Sequence, residues 1–134
     1  MRWVAFVCSG GYFKSMIKNF EEITAELTAV EVELLEVLKE HLLLHDETRP
    51  SKAYEIVNVV NGYCDLHNIP YRLHESRLRK MVNALRSTGT LPVIATAKGY
   101  FVSYNKQIIA DQIDSLCQRA NSIASCASGL QIFL

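Results

Sequence analysis

ESRLRKMVNALRSTG, residues 75–89, is followed after one residue by LPVIATAKGYFV, residues 91–102, and together these two stretches decide the fold. In the first, Leu78, Met81, Val82 and Leu85 recur at helical spacing and supply an inner face. Arg77, Arg79, Lys80, Asn83 and Arg86 mostly occupy the outer one. This helix starts near His74 or Glu75, ends at Ser87, and is closed by Gly89, where helices commonly take a left-handed residue. In the second stretch and just beyond it, Leu91–Ala95 and Tyr100–Tyr104 are β-branched and aromatic. Thr96, Ala97, Lys98 and Gly99 separate them, which predicts a β-hairpin with a short glycine-containing tip.

Upstream, Thr28 and Glu31 form a T-x-x-E capping box in front of Val30, Leu34, Leu35, Leu38 and Leu42, so a helix spans about Thr28 to Leu44. Asp46 to Pro50 breaks it. A second helix begins near Ser51 with Ala53, Ile56, Val57, Val60 and Cys64 as its buried stripe, Gly62 being a weak point or an early end. Asn68, Ile69 and Pro70 then read as a loop, because the residue before proline is pushed away from helical geometry. Downstream, a last helix runs from about Lys106 to Ala127, capped by Asn105. On it Ile109, Ile113, Leu116, Ala120, Ile123, Ala127 and Leu130 alternate spacings of four and three, an a/d heptad seam. The seam packs either against the first helix or against a second copy of the chain, and the small Ala120 and Ala127 allow close approach in both cases.

The chain has 134 residues, 49% apolar and 21% charged, with 14 basic and 14 acidic side chains. That is one domain of common size, able to hold a core without metal or disulfide. The apolar fraction excludes a disordered chain, and no apolar run approaches the ~20 residues of a membrane-spanning helix. Cys8, Cys64, Cys117 and Cys126 include no C-x-x-C pair, so idle or buried thiols in a reducing cytoplasm are the expectation. The net charge of zero hides an asymmetry. Residues 21–47 carry nine acids against Lys39, while residues 71–106 carry seven bases against Glu75. A neutral chain so divided still presents a positive face to a polyanion. The first fifteen residues lack helical periodicity, and Met16 would serve equally well as a start, so residues 1–15 are expected to be dispensable.

The order helix, helix, basic helix, hairpin, helix resembles a winged helix-turn-helix domain over about residues 27–104. Residues 75–89 with 91–102 look like the recognition helix and wing of that family. The tail from Asn105 to Ile123 is similar to that of small winged-helix proteins of phages and mobile elements. The resemblance implies a mainly α fold with a β-hairpin, a winged helix-turn-helix core and a long C-terminal helix. Residues 1–26 form a leader, 27–104 the winged domain and 105–134 a dimerisation element. It departs from the family in the connection from Val60 to Leu73, which exceeds the three or four residues of a compact helix-turn-helix turn.

A major groove admits one helix; arginine there pairs both acceptors of a guanine edge, and asparagine both groups of an adenine edge. Ser76, Arg77, Arg79, Lys80, Asn83 and Arg86 on the helix, with Lys98 on the hairpin tip, are therefore the candidate DNA-binding residues. Arg77, Lys80, Asn83 and Lys98 come first. The expected function is double-stranded DNA binding by a homodimer, in transcription regulation or mobile-element replication. It requires those guanidinium groups to face outward. The competing expectation is a winged-helix module that holds a protein partner through the acidic first helix and the seam. His41 and His45 share a helix face, with His67 or Cys64 as further donors, but the acidic residue and third ligand of an H-E-x-x-H motif are missing. Histidines near a helix C-terminus, where the helix dipole favours positive charge, are the simpler account. No nucleophile elbow or phosphate loop occurs, so no enzyme, metal or cofactor is expected.

Overall fold

Thr28 starts the first helix in the way its sequence requires. Its Oγ1 accepts a hydrogen bond from the Glu31 amide at 3.2 Å, and its own amide donates to Glu31 Oε1 at 2.9 Å. The structure, a computed structural model, describes residues 26–134. The expectations of a dispensable leader and a second start at Met16 lie outside the described residues, as does Cys8. Helix α1, Ala29–Leu42, buries Leu34, Leu38 and Leu42 against α2, Ala53–Leu66, and α3, Glu75–Ser87. These three helices touch one another pairwise and enclose one core, completed by Leu73, Leu91, Val93 and Val102. The inner face of α3 is the expected one: Leu78, Met81, Val82 and Leu85.

Gly62 does not end α2. The helix continues through it to Leu66, and a side chain at position 62 would meet nothing within 4 Å. A glycine in an exposed helical turn costs only about 1 kcal/mol, too little to stop a helix held by Ile56, Val60 and Cys64. The end comes at Asn68, whose φ of 54° lets the Ile69 amide turn back to the Cys64 carbonyl at 2.8 Å. The connection to α3 is thus shorter than Val60 to Leu73, running from His67 to His74. It is fastened in the middle: Asn61 Oδ1 accepts from the Leu73 amide at 2.8 Å, and Asn61 Nδ2 donates to the Leu73 carbonyl at 3.2 Å.

Strands β1, Val93–Thr96, and β2, Gly99–Val102, form an antiparallel hairpin with Val93 opposite Val102 and Thr96 opposite Gly99. The tip is Ala97 and Lys98 alone, two residues rather than the four expected. Ser51, in the connection between α1 and α2, exchanges both backbone hydrogen bonds with Tyr100 at 2.7 Å. This crossing explains Gly99, whose φ is 135° and where a Cβ would lie 2.5 Å from the Ser51 carbonyl oxygen. Helix α4 spans Lys106–Leu130, longer than expected, and continues into a 3-10 turn at Gln131–Phe133. Asn105 caps it, Oδ1 accepting from the Gln107 and Ile108 amides. Its main packing partner among the earlier described elements is β1, so the seam is not seated on α1 as one of the two readings has it. No helix among the described residues is long and apolar enough to cross a membrane.

Candidate nucleic-acid interface

The side of α3 turned away from the core carries Ser76, Arg79, Asn83 and Ser87, all exposed, with Lys80 half-buried beside them. Spacings of three and four place them on one stripe. Among the described residues Arg79 and Lys98 enter no salt bridge, whereas Lys80 Nζ lies 3.8 Å from Glu26 Oε1. Lys98 projects from the hairpin tip, where its amide donates to Thr96 Oγ1 at 3.2 Å.

Arg77 and Arg86 do not belong to this face, and the outward placement expected of them is corrected here. Arg77 donates from Nε and Nη2 to the two carboxylate oxygens of Glu31 at 2.9 and 2.6 Å, and from Nη2 to the Glu26 carbonyl at 3.3 Å. Its side chain is 12% exposed, against 2% for that of Glu31. The same carboxylate accepts from the Tyr71 hydroxyl and the Thr28 amide. The Arg77 hydrogen bonds, opposed by burial and joined by those of Tyr71 and Thr28, hold the Glu31 carboxyl at about 2. Burial first, then the bond to Glu31, pushes the Tyr71 phenol up. A fully ionised, fully partnered pair so deep in the fold is structural. It fixes the start of α3 against the cap of α1.

Arg86 closes the other end of α3. Its Nε donates to the Val93 carbonyl at 2.9 Å and its Nη2 to Gln112 Oε1 at 3.2 Å. Gln112 Oε1 also accepts from the Ala95 amide at 2.6 Å. Burial lowers the Arg86 pKa, yet guanidinium stays charged at any physiological pH. Beside this knot an apolar cleft of about 730 Å³ opens between the end of α3, the approach to β1 and α4, with Asn83, Pro92, Ile94, Tyr104, Ile109 and Ile113 among its walls.

Glu31 and Gln112 organise this region, and neither stands out in the sequence as doing so. Glu31 reads as a cap residue, and Gln112 as an ordinary polar neighbour of the seam. The histidine pair is likewise occupied: His41 Nε2 lies 2.9 Å from Ser51 Oγ, and His45 Nδ1 donates to the Arg49 carbonyl at 2.8 Å. Burial first, then the nearness of His45, lowers the His41 pKa. Cys64 is buried in the core, and no three potential metal ligands converge among the described residues. No protein-family model matches the chain, and no curated protein or solved structure shows significant similarity to it.

Proposed function

We propose that the chain is a non-catalytic cytoplasmic protein that binds double-stranded DNA in winged-helix manner, with α3 in the major groove and Lys98 on the flanking backbone. Of the three arginines this function requires to face outward, Arg79 alone does so, Arg77 and Arg86 being turned to internal acceptors; the observation that carries this reading is the outward stripe of α3. A helix whose opposite face is locked into a three-helix core offers Ser76, Arg79, Asn83 and Ser87 on one side, with Lys80 at their flank. Arg79, Lys80 and Lys98 are the phosphate-binding cations, Asn83 and Ser76 the groups suited to base edges. Two copies joined through the α4 seam present two such faces. Transcription regulation or replication of a mobile element both suit such a protein.

The second reading, a winged-helix module that holds a protein partner, is favoured by a different observation. Arg77 and Arg86 are turned to internal acceptors, while α4 leaves Ile113, Ile123 and Leu130 more than half exposed.

A salt-titrated anisotropy assay on random duplex separates the two. Three cations neutralise at most about three phosphates per chain, so log K falls against log salt with a slope near −2.7 per protomer. Arg79→Ala and Lys98→Ala each lower affinity and flatten that slope by about one unit while leaving the fold intact. Absence of binding at low salt, or binding indifferent to salt, sinks the DNA reading and leaves the partner module.

A further inference from the structure

The seam of α4 does not end where the helix meets the rest of the fold. Ile113 is 53% exposed, Leu116 37%, Ile123 64% and Leu130 67%; beyond them Ile132 and Phe133 reach 81% and Leu134 89%. Together with Tyr104, 72% exposed at the mouth of the cleft, they leave on the order of 1,000 Å² of apolar side chain per chain, at about 200 Å² for a fully exposed large residue. A standard stable interface takes about 800 Å² from each partner. A second copy of this chain therefore has enough surface to pair on, and the seam itself says in which direction.

In a parallel pair each seam residue meets its own counterpart. Ala120 would then face Ala120 and Ala127 face Ala127, so two layers lack the methyl groups needed to fill them, and each void costs on the order of 1 kcal/mol. In an antiparallel pair a positions meet d positions. The register that uses the whole seam sets Leu116 opposite the partner's Ala127, Ala120 opposite the partner's Ile123 and Ile113 opposite the partner's Leu130. Every alanine then faces a large side chain.

That register also carries the apolar segment Leu130–Leu134 along the partner's α4 to Ile109, one wall of the 730 Å³ cleft. In the parallel pair the same segment lies roughly 30 Å away from it, at 1.5 Å per helical residue, and the cleft stays unfilled.

We infer that two copies associate through α4 in antiparallel orientation and that the segment Leu130–Leu134 of each fills the apolar cleft beside α3 and β1 of the other. This rests on the self-association proposed above and supplies its geometry. The cleft is thus half of an interface, and its occupant is encoded in the same chain.

Spin labels at Gln107→Cys and, separately, Asn121→Cys, in full-length protein carrying Cys8→Ser and Cys126→Ser, read the orientation in the absence of DNA. The antiparallel register places the two labels at position 107 more than about 40 Å apart and those at position 121 within about 20 Å, from helical rise and interhelix spacing. In wild-type background, sedimentation reads Phe133→Asp, which should weaken self-association at least tenfold with helix content unchanged. A chain that stays monomeric at tens of micromolar, its seam covered by residues 1–25 or by another partner, overturns the proposal. So does a short distance at position 107, the mark of parallel pairing, or a Phe133→Asp variant that associates as wild type does. Because no nucleic acid is present, failure here leaves the salt-titration result standing, and failure there leaves this one.

Discussion

Glu31 is 1% exposed and ionised, which is tolerable only because four donors converge on its two oxygens. Taking a carboxylate out of water costs several kcal/mol, and removing one partner of such a buried pair typically costs 3–5 kcal/mol because the other is stranded. Its pKa falls from an ordinary 4.5 to about 2 in the folded chain. The folded value lies below the unfolded one, so the contribution, about 3 kcal/mol, is fully present above pH 4.5 and is lost as pH falls from there toward 2. Arg77→Ala should therefore destabilise the fold by about 3 kcal/mol at pH 7, and by roughly half that at pH 3, where wild type has already surrendered part of the advantage. Urea unfolding at both pH values checks this; an equal loss at both would mean that Arg77 acts through packing rather than through charge.

Among the described elements, α4 is held to the rest through its first half alone, by packing against β1, the buried Cys117 and the amide oxygen of Gln112. Gln112→Ala strands the Ala95 amide and one Arg86 donor, and should lower stability by about 1–3 kcal/mol, while Gln118→Ala on the exposed side of the same helix changes it by less than about 0.5 kcal/mol. Thermal unfolding of the two variants reads the difference, and equal effects would remove Gln112 from that role. The elements themselves are largely written in local sequence: the Thr28–Glu31 box, the Asn105 cap and the apolar stripe of α3 each reflect interactions within a turn or two. Of the two readings of Gly62, the early end fails because helix propensity is a weak force beside burial of Ile56, Val60 and Cys64. The candidate interface is legible only in part. Periodicity separates the inner and outer faces of α3, but Arg77 and Arg86 flank the border between them, and partners far along the chain decide which way a border residue turns. Glu31 lies 46 positions from Arg77 and Gln112 lies 26 from Arg86, distances over which no local pattern carries information.

For the whole molecule, the split between an acidic first half and a basic second half is partly spent inside the fold. Glu31 answers Arg77 and Glu26 approaches Lys80, so the positive face offered outward is narrower than the sequence total suggests. The outer half of α4 makes the opposite statement, being helical through Leu130 with few of its large side chains buried. Helices with so little packing open readily. The proposed pairing through α4 predicts that amide exchange across residues 118–130 slows as protein concentration rises, while α3 shows no such dependence; concentration-independent exchange in α4 would count against that pairing. The hairpin shows a different economy. On one side Tyr100 is bonded at both its backbone groups by Ser51, and the Val102 amide donates to the His45 carbonyl; on the other, Arg86 holds the Val93 carbonyl and Gln112 the Ala95 amide. A two-stranded ribbon ordinarily exposes two templates on which a stray strand can grow. Here both rims are engaged at these groups by the protein's own residues, so even under crowding the ribbon offers little free edge on which fibres could grow by strand addition.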